Sequence, residues 1–175
     1  MLKRFRDDRR GIAATEFALI APAMLAMYFG LTELTLAMMA ERRASHATAV
    51  VADIVAQSTQ VSATQVNDIF SVGDAILKPL PAAPLTMRIS SVKADEGGTP
   101  RVVWSRGDGL AALGVGATPA DFPSGMLAAG DSVIMAEARY TYTSPLQQIM
   151  PDPVVFNRRF YLRPRKSPEV AWIAG

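Results

Sequence analysis

Gly11, the carboxylate of Glu16 and the ring of Phe17 stand at the entrance to the one long apolar run in the chain, within "RRGIAATEFALIAP". A carboxylate in an apolar helix costs free energy unless a cation or a set of donors meets it, so Glu16 needs a partner. One reading keeps Glu16 at a membrane interface, its stem snorkelling toward headgroups and its charge paired with Arg9 or Arg10. Elsewhere the residue types that do chemistry are scattered. Cysteine is absent, which excludes disulfide, thiolate-zinc and cysteine-nucleophile chemistry. The single histidine, His46, has no second imidazole or thiolate to join it around a metal and reads as a surface or helix-packing residue. The carboxylates between Asp53 and Glu137 keep neither calcium-loop nor paired-acid spacing. "GDGL" and "GVGATPAD" lack the lysine and helix of a phosphate loop, so their glycines are assigned to turns. No enzyme activity, cofactor, metal or small-molecule substrate is expected.

The element that positions Glu16 is the apolar run itself. From Ile12 to Leu31 about 20 residues at 1.5 Å rise reach the roughly 30 Å of a bilayer core, which predicts one transmembrane helix in the lipid bilayer. Lys3, Arg4, Arg6, Arg9 and Arg10 precede the run and only Arg42 and Arg43 follow it closely. The positive-inside rule then places the amino terminus in the cytoplasm. A removable signal peptide is the alternative, but a small-x-small site at Thr35 and Ala37 falls too deep in the run for an ordinary one. Pro22 is tolerated in a membrane helix, where neighbours re-satisfy the freed carbonyl. The net charge of +2 carries no interior basic stripe with interleaved aromatics, so nucleic acid is not an expected partner.

Glycine followed by "IAATEF" resembles the processing site of type IV prepilin-like proteins, and "GIAATEFALIAP" is most similar to the TadE-like family of pseudopilins of tight-adherence (Tad/Flp) pilus systems. "ADIVAQ", "ILKPL", "MRISSVKADEGG", "VVWS" and "FYLRPR", taken in their order, also resemble that family, more diffusely than the amino-terminal motif. The resemblance implies cleavage between Gly11 and Ile12 by a prepilin peptidase, with Glu16 the fifth residue of the mature chain. It also implies other pilins or pseudopilins and inner-membrane Tad platform proteins as partners. Cleavage would create an α-ammonium with an ordinary pKa near 8 at the edge of the apolar phase. A carboxylate one turn along, in the same or a neighbouring subunit, would neutralise it and favour correct register.

The chain divides on this reading into a basic cytoplasmic leader at 1–11, a transmembrane helix at 12–40 and a periplasmic pilin-like domain at 41–175. The alanine-rich "ASHATAVVADIVAQ" extends the helix to about Gln57, with Ala47, Val51, Ile54 and Val55 on one side and a break at Glu41–Arg43 left open. Glu33 either marks the far membrane boundary or touches another pseudopilin helix. Ser62 and Gln65 form a capping box, Val61 staples onto Val66, and Val66, Ile69, Phe70, Gly73, Ile76 and Leu77 face inward. Period-two segments at 85–92, 101–105, 131–143 and 154–162 predict an α+β domain, a helix on an antiparallel sheet of about four strands. The first two form a hairpin across Asp95–Gly98. Residues 106–130 read as loop, Trp104 as core, and Arg158, Arg159, Arg163 and Arg165 as a solvated face. The expected function is that of a minor pilin-like subunit; the alternative is an unprocessed envelope adaptor that uses its strands and the 106–130 loop for recognition.

Overall fold

The computed structural model describes residues 10–173, with side chains from Ile12 onward. The expected leader at 1–11 lies outside the described residues except for the helical backbone of Arg10 and Gly11. Helix α1 runs from Arg10 to Ala56 without a break at Glu41–Arg43 and carries Pro22 inside it. Alanine, leucine and methionine dominate it and favour this conformation. A two-residue strand β1 (Gln60–Val61) follows, then helix α2 (Ala63–Leu77). Strands β2 (Leu85–Ala94), β3 (Pro100–Asp108), β4 (Ser132–Tyr142) and β5 (Val154–Leu162) form one antiparallel sheet in the order β3-β2-β4-β5. Strand β6 (Ala171–Trp172) pairs in parallel with β1.

Two compact units emerge: α1 up to Met38 with Thr143–Pro153, and Met39–Tyr142 with the chain from Val154 onward. In the second, α2 starts as its sequence dictates. The Ser62 amide donates to Gln65 Oε1 at 2.9 Å, and the Gln65 amide donates to Ser62 Oγ at 3.3 Å, so two orphan donors of the first turn are met. Val66, Ile69, Phe70, Gly73 and Leu77 are buried, while Ile76 is only partly so. Gly73 is where α2 closes on its neighbours: a Cβ there would lie 2.7 Å from Met87 Cε and 3.2 Å from Val51 Cγ2. Small residues on α1, Ala44, Ala47 and Ala52, are buried alongside Val51 and Val55.

Strand β4 alternates as predicted, with Ile134, Ala136, Ala138, Tyr140 and Tyr142 buried on the face shared with Met87 and Ile89. Its other face is buried too from Val133 to Glu137, with Arg139 exposed. Val92, Ala94, Val102, Val133 and Met135 make a second cluster with Leu127, and Leu113, Phe122 and Tyr161 pack against it. The segment read as open loop therefore roofs the outer face of the sheet with its own apolar side chains. Gly107 and Gly109 admit the bend that begins this roof: a Cβ on Gly107 would meet the Leu110 carbonyl oxygen at 1.8 Å, and Gly109 has φ 71°. The β2–β3 hairpin turns on Asp95. Its Oδ1 accepts the Thr99 and Gly97 amides, and Arg101 sits on Oδ2. The Thr99 amide above all, with Arg101 and the Gly97 amide, holds this carboxyl below the ordinary aspartate value.

Trp104 is core: it is buried, its Nε1 donates to the Val170 carbonyl at 2.7 Å, and its ring lies 5.3 Å from that of Trp172. Ser91 is fully buried opposite Ile134, with no hydrogen-bond partner for its hydroxyl among the described residues. An unmet buried hydroxyl is a net cost, so Ser91→Ala is expected to stabilise the fold by about 1 kcal/mol, a rise in Tm of about 3 °C. Thermal unfolding of the full chain in detergent measures this, and a fall in Tm would show that the hydroxyl is bonded.

Candidate anchoring and assembly site

The amino-terminal unit is built on the apolar half of α1. From Ile12 to Tyr28 almost every side chain is exposed, including Phe17, Leu19, Met24, Leu25 and Met27. So much contiguous apolar surface on a single helix calls for a nonaqueous surrounding. Among the described residues this is the one helix long and apolar enough to cross a membrane. Its polar side chains are arranged for such a medium. Thr15, Thr32 and Thr35 each return their hydroxyl to a backbone carbonyl three or four residues back, those of Ile12, Tyr28 and Leu31, at 2.7–2.8 Å.

Gly11, Ile12, Glu16 and Phe17 all lie in the opening turns of this helix. Ile12 and Glu16 are one turn apart, about 6 Å along the axis, and share a face. Glu16 is exposed and meets no cation among the described residues. Glu33, by contrast, is fully buried. One carboxylate oxygen accepts the Gln148 amide at 2.7 Å, and the other accepts the amides of Ile149 at 3.1 Å and Met150 at 2.6 Å. The buried Ser144 side chain adds a further hydrogen bond to it. The loop is shaped for this. Ser144 Oγ accepts the amides of Leu146 and Gln147, and Gln147 adopts φ 50°, which turns the next three amides to one side. The result is a backbone cup filled by a carboxylate of the same unit.

Glu33 is thus more than a boundary mark, and its partner is the loop between β4 and β5. The signal was present in Glu33 itself, since an acid in an apolar helix needs donors. Nothing local pointed to residues 148–150.

In the second unit Arg163 and Arg165 are exposed and Arg158 and Arg159 partly so, and all four are paired with acids. Arg158 pairs with Glu41, Arg163 with Asp131 at 3.0 Å and Arg165 with Asp53 at 2.6 Å. Glu137 lies between Arg88 and Arg159, its two oxygens 2.5 Å and 2.7 Å from their Nη2 atoms. The same two guanidiniums hold the roof segment, Arg88 through the Ala111 carbonyl and Arg159 through those of Ala120 and Asp121. His46 is exposed on α1 beside Glu41, Arg42 and Arg158.

Residues 11–53 match the family model described as TadE-like protein. The match takes in Gly11, Ile12, Glu16, Phe17 and Glu33 and leaves the sheet outside it. Comparison with curated proteins and with solved structures finds no match.

Proposed function

From a chain that is TadE-like through residues 11–53, we propose a minor pilin-like (pseudopilin) subunit that takes part in assembling Tad/Flp-type pili. The observation that supports this most is an exposed apolar helix with a carboxylate at Glu16 and no cation among the described residues to meet it. A prepilin peptidase cuts after Gly11, where the lack of a side chain lets the backbone enter a narrow cleft. Ile12 then bears a new α-ammonium, and Glu16, one turn on, neutralises it within the subunit or across to a neighbour. Pairing offsets much of the cost of either charge in hydrocarbon, so the correctly docked helix is preferred over a slipped one. On this reading the chain crosses the inner membrane once, its amino terminus is cytoplasmic and its folded domain is periplasmic. The partners are the peptidase, other pilins or pseudopilins and the Tad platform.

Intact-mass analysis of the membrane-extracted protein, made with the peptidase present, tests processing. A chain that begins at Ile12 is the expected result; one that keeps Gly11 and the leader assigns the protein to the unprocessed adaptor class instead. Glu16→Ala is expected to leave the sheet domain folded and still be cleaved, yet to reduce piliation about tenfold or more, as for loss of a pairing in a low-dielectric medium. Piliation at the normal level in that variant would remove Glu16 from the docking step.

A further inference from the structure

The loop Thr143–Pro153 is held against α1 at a level that the apolar run itself defines. A span that begins at Ile12 reaches about 30 Å at Leu31, so Gly30 lies inside the far edge of the hydrocarbon and Glu33 about one turn further out. The loop reaches back past Glu33 toward the membrane. A Cβ on Gly30 would lie 3.7 Å from Ile149 Cγ1, so the Ile149 side chain stands at the level of Gly30. It is 53% exposed, and Leu146 and Met150 beside it are partly exposed.

The amides of this loop are prepared for a medium without water. Every amide from Leu146 to Met150 has an acceptor, the first two at Ser144 Oγ and the last three at Glu33. Pro145, Pro151 and Pro153 bring no amide at all. Irregular backbone is tolerated at membrane depth only when its polar groups are met in this way. A loop in bulk water has no need of such pairing and gains nothing from an isoleucine turned outward. Gln147, Gln148 and Asp152 supply polar side chains suited to the headgroup level.

We propose that the loop Thr143–Pro153 is a second membrane-contacting element, with Ile149 entering the acyl chains of the leaflet at the far end of the span. The occupant of this apolar tip is lipid, because the tip is continuous with the helix surface that lipid covers. The proposal rests on α1 being a span, and the test separates the two.

The chain has no cysteine, so a single introduced cysteine takes an environment-sensitive fluorophore at one place. Three full-length variants are labelled in phosphatidylcholine vesicles: Ile149→Cys, Leu25→Cys within the apolar run, and Val115→Cys, which is exposed on the second unit. Nitroxide groups on the acyl chains are expected to quench the labels at 149 and 25 by about half, as for groups inside the hydrocarbon. The label at 115 is expected to respond only to iodide in the water. Quenching at 25 without quenching at 149 overturns the proposal and leaves the span intact. A label at 149 shielded from both quenchers also overturns it, since protein then covers the tip. No quenching at 25 removes the span and the proposal with it.

Discussion

Glu137→Leu is expected to lower the unfolding free energy by about 3 kcal/mol, because it strands two partly buried guanidiniums. Glu137 is 8% exposed and sits in a cross-strand row, Arg88 on β2 and Arg159 on β5 lying directly opposite it. Each arginine reaches it through both Nε and Nη2. Leucine fills the space but offers no acceptor, and the two like charges then face each other across a strand. The damage should spread to the roof segment, whose carbonyls at Ala111, Ala120 and Asp121 depend on those guanidiniums being fixed. Tm should fall by about 10 °C. The near-ultraviolet dichroism of the adjoining Trp104 and Trp172, the only two tryptophans, follows the transition. Adding Arg88→Met and Arg159→Met is expected to restore most of the loss, since a buried ionic row replaced whole by apolar side chains costs little. A single variant as stable as the parent would mean that the row contributes nothing.

Glu33→Leu should free the loop Thr143–Pro153 from α1. Three amides lose their acceptor at once, and among the described residues of that unit neither of the other carboxylates, Glu16 and Asp152, is bonded to them. Local opening of the loop becomes far more frequent, so a broad-specificity protease should cut between Ser144 and Pro153 about tenfold faster or more. Glu33→Gln keeps one carbonyl oxygen as acceptor and should fall between the two. The tryptophan signal of the second unit is expected to hold steady, which separates release of the loop from general unfolding. An unchanged cleavage rate in Glu33→Leu would show that something other than the carboxylate retains the loop.

What was legible in the sequence had a short period or a short motif. The capping box at Ser62 and Gln65, the buried stripe of α2 and the alternation along β4 need only neighbours within a few residues. So does the Gly11 to Glu16 spacing, and the TadE-like resemblance drawn from it agrees with the match at residues 11–53. The helix, second helix and four-strand antiparallel sheet likewise follow the periods. What escaped was long-range. Leu113, Phe122 and Leu127 keep no regular spacing, so nothing marked the 106–130 segment as a roof over the sheet. Each carboxyl-terminal arginine of the 158–165 stretch finds its acid on another element, at Glu41, Glu137, Asp131 or Asp53. Glu33 and the Gln148 amide are 115 residues apart. The chemistry of each residue was readable, while the identity of its partner depended on topology.

The order of strands has a consequence for biogenesis. β5 closes the sheet beside β4, and the chain beyond it returns to the early residues: the Arg165 amide donates to Ala56, that of Ala171 to Thr59 and that of Ile173 to Val61. The ribosome makes the apolar helix before these closing pieces. Contacts of such sequence separation form slowly and only once both ends exist. Closure of the sheet therefore comes after α1 has been made. A product of interrupted translation that lacks β5 would leave the β4 edge of the sheet unpaired and open to proteolysis. The sheet is therefore complete only when β5 and the pairing of β6 with β1 are in place.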